Sequence, residues 1–170
     1  MIDQKRLTII EILIVVAVIG LIGTLAAIAV SSARANMRDA ARLSHVRQMQ
    51  SALEDYFVKN NTYPVSEKVV ALGYGSVGCL NTDGSQASCE AGSTGVLARS
   101  IPAAISAGLR GLSSCGGAVN AYCYSALNGG VTYGIQFELE NTIVSTKLQK
   151  GLNCAMPEGM KTGACAFVSK

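Results

Sequence analysis

The run LTIIEILIVVAVIGLIGTLAAIAV, Leu7 to Val30, is apolar apart from two threonines, two glycines and a single carboxylate, Glu11. As a helix its 24 residues rise about 36 Å at roughly 1.5 Å each. The hydrocarbon core of a bilayer is about 30 Å thick, so the run is long enough to span one with some tilt. Lipid offers no partners to free backbone groups, so a spanning segment here is helical. A carboxylate five residues into such a span costs on the order of 2.5–3.5 kcal/mol, so Glu11 requires a reason.

Beyond Val30 the helix is expected to continue. No Pro or Gly interrupts Ser31 to Asn60, and Met37, Ala41, Val46, Met49, Leu53, Tyr56 and Phe57 recur at helical spacing as one apolar face. Arg38, Asp39, Arg42, Arg47, Asp55 and Lys59 fall largely elsewhere, and His45 reads as an exposed helix position among arginines. Asn60-Asn61-Thr62-Tyr63-Pro64 ends the helix, because Asn tolerates a left-handed cap and Pro64 holds Tyr63 extended.

These N-terminal residues resemble the start of a mature type IV pilin or type II secretion pseudopilin. Leu7, Thr8, Ile9, Ile10 and Glu11 fall on that family's hydrophobic first residue, Thr-Leu-Ile and Glu. The helix continuation and its Asn-x-x-Tyr-Pro exit are also similar. The resemblance implies a basic leader, residues 1–6, with cleavage and N-methylation at Arg6–Leu7 by a prepilin peptidase. It implies that Glu11 serves assembly by pairing with the α-amino group of a neighbour's first residue. Three departures are visible. Arg6 stands where the family nearly always has Gly before the cut, and Leu7 where Phe is usual. A subsite shaped for no side chain must then admit a long cation. The family's Pro further along the span is also absent, with Ile28 in its place, while Gly20 matches a family glycine.

Length and composition are consistent with this division. The 170 residues suit one domain outside the membrane, with 61–170 as a cysteine-containing globular part, 31–60 as the helix packing on it and 7–30 as the membrane or filament-core helix. A net charge of +3 without a dense basic cluster does not point to nucleic acid. Lys5 and Arg6 favour a cytoplasmic N-terminus, whereas Arg34, Arg38, Arg42 and Arg47 argue the reverse by counting alone. All six cysteines, Cys79, Cys89, Cys115, Cys123, Cys154 and Cys165, follow the span, which suggests an oxidising compartment and a disulfide framework. Of the fifteen pairings of six cysteines, the sequence-local set Cys79–Cys89, Cys115–Cys123 and Cys154–Cys165 is the expectation. With no Cys-x-x-Cys and one distant histidine, a zinc site is disfavoured.

Further along, Val65 to Gly95 reads as a Gly- and Ser-rich connection with a short helical turn at Val69 to Leu72. Asp83 and Glu90 there lack the alternating spacing of a calcium loop. The glycines from Gly73 to Gly78 lack the strand and helix that a dinucleotide fingerprint needs. Val96 to Leu112 has weak helical periodicity, with Pro102 as a helix start. Asn128-Gly129-Gly130 between Ala118–Ala126 and Val131–Leu139 is a strong hairpin signal. Tyr133, Ile135, Phe137 and Leu139 form the buried face of that hairpin, expected to lie on Val46–Phe57. Ile143 to Leu148 reads as a third strand, followed by a looped tail with an apolar run, Ala164 to Val168.

The expected class is therefore α+β: a long N-terminal helix packed on a small antiparallel sheet stapled by disulfides. No catalytic constellation, metal or cofactor is indicated. The functional expectation is a filament subunit of the cytoplasmic membrane, single-pass with its N-terminus inside, joining identical or homologous subunits in a filament at the cell surface with the help of assembly machinery. Two rival readings are an unprocessed single-span surface binding protein and a secreted domain cleaved near Ala33-Arg34-Ala35. The apolar run is longer than the usual 7–15 residues of a signal peptide, which weighs against the second.

Overall fold

A computed structural model describes residues 8–75, 77–90 and 93–167. The leader, Arg6, Leu7 and Val168 lie outside the described residues.

Helix α1 runs without a break over Ile9–Asn60, 52 residues. Thr8 caps its start, and Asn61 in the left-handed region (φ 55°) ends it by returning its N–H to the Phe57 carbonyl. The strands follow as β1 Val70–Leu72, β2 Cys79–Asn81, β3 Gly84–Gln86, β4 Val96–Ala98, β5 Ser114–Cys115, β6 Ala118–Val119, β7 Tyr122–Leu127, β8 Thr132–Leu139, β9 Gly151–Met156 and β10 Gly159–Thr162. The main sheet has the order β1-β7-β8-β9-β10 with every pair antiparallel. A smaller sheet, β3-β2-β4, and a two-stranded ribbon, β5-β6, complete an α+β head.

The β7–β8 hairpin turns at Asn128, Gly129 and Gly130, all at positive φ (52°, 70° and 94°). Gly130 is required there, since a Cβ would run into Thr62. Tyr133, Ile135, Phe137 and Leu139 are all but inaccessible and share one core with Leu43, Val46, Met49, Leu53 and Tyr56 of α1. The hairpin therefore lies on the helix stripe that the periodicity marked, although the stripe starts later than expected: Met37 is 71% exposed.

Several expectations are corrected. Ala118–Ala126 is not one strand, because Asn120 at φ 57° breaks it and its Oδ1 accepts from the Gly111 N–H. Val69–Leu72 is a sheet edge, not a helical turn, and the glycine-rich connection holds the β2–β3 hairpin. Val96–Leu112 forms no helix: β4 pairs with β2, and the carbonyls of Ile105 and Ala107 are taken by a side chain of α1. Ile143–Leu148 is a tight turn closed by one bridge, and the third strand is β9. The tail is not all loop, since β9 and β10 pair through Met156–Gly159. The alternate residues of β8 are also buried, not solvated. Glu138 accepts from the N–H groups of Arg110 and Leu112, and Gln136 from that of Cys165.

Candidate functional site

The first 22 helical residues, Ile9–Val30, touch no other part of the head, and every residue from Thr8 to Arg34 is exposed. Ile14, Ile19 and Leu25 show 57%, 64% and 61% of their surface. Apolar surface costs about 25 cal/mol per Å² left in water, so a continuous sleeve of Ile, Leu and Val demands an apolar surrounding. This helix is long and apolar enough to cross a membrane.

Glu11 sits in the first turn of this sleeve, where its own chain serves it. Its Oε2 accepts from the Thr8 backbone N–H at 2.8 Å and the Thr8 hydroxyl at 3.0 Å. The Glu11 N–H in turn reaches Thr8 Oγ1 at 3.3 Å, which completes a reciprocal capping box. The signal for this, Thr followed three residues later by Glu before an apolar run, is legible in the sequence, alongside the assembly role that the family resemblance implies for Glu11. The helix N-terminus adds a favourable field for the carboxylate.

The cysteines pair as Cys79–Cys89, Cys115–Cys123 and Cys154–Cys165, with Cα separations of 5.8, 5.8 and 5.1 Å. The sequence-local pairing is thus the one found. The bridges tie β2 to the loop after β3, β5 to β7, and β9 to the C-terminal segment. Gly134 on β8 makes room for the last, because Cys165 Sγ lies 3.2 Å from where a Cβ would stand.

The joint between sleeve and head is a charge cluster built on helix residues that lie off the apolar stripe. Asp39 and Arg42 are 1% and 0% exposed. Arg42 donates to Asp39 Oδ1 and Glu140 Oε1, both at 2.7 Å, and to the carbonyls of Ile105 and Ala107. Arg38 forks onto both oxygens of Glu140 at 2.7 and 2.6 Å. Asp39 accepts from the backbone N–H groups of Glu140 and Asn141 and from the Asn141 amide. The hydrogen bonds from Arg38, then those from Arg42, hold the Glu140 carboxyl down at about 2 from an ordinary 4.5, against the opposing effect of burial. The cluster therefore clamps the end of β8 and the 105–107 segment onto α1. Gly108 fits against it, since a Cβ there would strike the Glu140 carboxylate.

His45 is half-buried, not exposed, with Nδ1 3.2 Å from the hydroxyl of buried Tyr122. Burial pushes its pKa down. Among the described residues no group of three or more His, Cys, Asp and Glu stands together as a metal site.

The assembled picture is a long apolar arm, capped by Thr8 and Glu11, locked by a buried charge cluster to a disulfide-stapled α+β head. Comparison of the chain with family models, curated proteins and solved structures returns no match.

Proposed function

We propose that the chain is a structural subunit of a type IV pilus-like or pseudopilus filament, held first in the cytoplasmic membrane and assembled through its N-terminal helix. The observation that carries this reading is the bare apolar length of α1, with one carboxylate in its first turn, rigidly continuous with a packed head. A sleeve of this kind is satisfied in turn by lipid and by copies of itself. The protein-bound state must still accommodate Glu11.

The Thr8–Glu11 box supplies a resting state for that carboxylate in the membrane. In a filament the same oxygens become the acceptor for a neighbour's cation. If the bond after Arg6 is cut, the cation is the new amine at Leu7. If it is not, Arg6 or Lys5 of a neighbour takes the place. The same box also favours a second reading, an unprocessed single-span anchor, because Glu11 is then satisfied without any neighbour.

The test is the N-terminal mass of the protein from its own membrane, together with filament yield by electron microscopy for wild type and Glu11→Gln. A mature start at Leu7 with filaments lost in Glu11→Gln supports the filament subunit. A start at Met1 with no filaments selects the anchor, and normal filaments from Glu11→Gln end the pairing argument.

A further inference from the structure

The head carries its charge unevenly along the axis of α1. At the end nearest the apolar sleeve, the acids turn inward. Asp39, Glu138 and Glu140 are held by Arg42, by Arg38 and by backbone N–H groups. The cations at that end, Arg34, Arg110, Lys147 and Lys150, are exposed. The bonds already described fix their place. The β8–β9 connection, which holds Lys147 and Lys150, leaves from Glu140 and Asn141 at the level of Asp39. The Arg110 segment hangs from Glu138, and Leu112 Cδ1 lies 3.7 Å from where a Gly151 Cβ would be. Two large apolar side chains stand among these cations: Leu112, 50% exposed, and Val144, 84% exposed at the tip of the connection.

The far end has the opposite character. Glu54, Asp55, Glu67, Asp83, Glu90 and Glu158 are exposed there, against Lys59, Lys68 and Arg99, whose guanidinium donates to the Glu90 carbonyl. The Asn60 amide on the Thr82 carbonyl, and the Gln50 amide on that of Met156, bring the loops bearing Asp83 and Glu158 to the C-terminal part of α1.

From this polarity we propose that the sleeve-side rim of the head binds the anionic headgroup surface of the bilayer in which α1 is inserted. The inference rests on the membrane part of the reading above. Asp39 is nine residues beyond Val30, about 14 Å along the helix. Headgroups occupy roughly 5–8 Å outside the hydrocarbon, so the rim stands within about one Debye length, ~8 Å, of their phosphates. Each Lys or Arg near such a surface is worth about fivefold in occupancy. Leu112 and Val144 add the apolar contacts that suit the interface. The acidic far end begins 24 residues beyond Val30, about 36 Å along the helix, more than four Debye lengths out, so attraction at the rim alone holds the head upright over its span.

The test uses the full chain in nanodiscs of phosphatidylcholine alone, or of phosphatidylcholine with phosphatidylglycerol, read by backbone hydrogen exchange. Segments 105–112 and 140–150 should exchange several-fold more slowly in the anionic discs, and salt should abolish the difference. The variant carrying Arg110→Gln, Lys147→Gln and Lys150→Gln should lose it, while Lys59→Gln with Lys68→Gln should keep it. An unchanged melting temperature in detergent shows that the triple variant is folded. Equal exchange in both lipids by an inserted chain overturns the proposal and leaves the membrane reading standing. Protection that follows the number of copies per disc assigns the rim to a second copy and also overturns it. A chain that does not enter the discs overturns both.

Discussion

Replacing Arg42 by Lys keeps the charge but removes the fork that holds three segments together. Arg42 makes five hydrogen bonds to four acceptor groups: Asp39, Glu140 and the carbonyls of Ile105 and Ala107. A lysine ammonium has three donors at one point and cannot span acceptors arranged around a planar guanidinium. At least two of the five bonds are lost, and each such hydrogen bond with a charged partner contributes about 1–3 kcal/mol. The expected loss for Arg42→Lys is thus about 2–5 kcal/mol, a large part of the roughly 5–15 kcal/mol that stabilises a domain. Arg42→Met leaves the buried Asp39 without a cation, while Glu140 keeps Arg38, and should cost at least as much. The assay is urea unfolding of the full chain in detergent, followed by tyrosine fluorescence, since the chain has six Tyr and no Trp. Adding Asp39→Asn to Arg42→Met should recover part of the loss, because it removes one stranded charge. An Arg42→Lys protein within about 0.5 kcal/mol of wild type, the ordinary range for a surface change, would refute the clamp.

The acid side of the stability profile follows from Glu140. Its carboxyl is ordinary when unfolded and low when folded, so its contribution is full above about pH 4.5 and is lost as pH falls towards about 2. Glu140→Gln should flatten that limb of a denaturation-versus-pH curve. Leu53→Asp, at a side chain 6% exposed beneath the hairpin, buries an unpaired charge and should cost several kcal/mol, measured as a lower urea midpoint. Replacing Cys154 and Cys165 together by Ser removes a crosslink of sequence separation 11. It should cost about 2–4 kcal/mol, seen as a depressed melting temperature, while non-reducing peptide maps retain the other two bridges.

What the sequence discloses follows the range of the interactions. The β7–β8 hairpin is legible because its turn residues and its alternation lie within twenty residues of one another. So are the helix cap at Asn61 and the local bridges. The β9–β10 hairpin is not, because GLNCAM is neither strongly apolar nor alternating, and its strand character comes from β8 beside it. The segment after β4 looks weakly helical, yet its carbonyls go to Arg42, whose position 63 residues earlier no local pattern reports. Arg38, Asp39 and Arg42 resemble a solvated helix face until Glu140 arrives from about a hundred residues away. Long-range polar contacts of this kind carry no periodicity, whereas the apolar stripe of α1 does.

The unbroken course of α1 has a mechanical consequence. A tug on its N-terminal half travels along a rod with no Pro, and no Gly after Gly23, to yield first. The load reaches the head at Arg38, Asp39 and Arg42, which lie within about one turn of α1 and bond together to Glu140, Asn141, Ile105 and Ala107. Bonds so arranged share a shearing load and must fail together, unlike a zipper that opens one tooth at a time. Should the clamp give way, the bridges limit what can be drawn out. The stretches Cys79–Cys89, Cys115–Cys123 and Cys154–Cys165 are closed loops that contribute almost nothing to extension. The head is thus built to part from its rod abruptly, after which only the chain between the three closed loops can be drawn out.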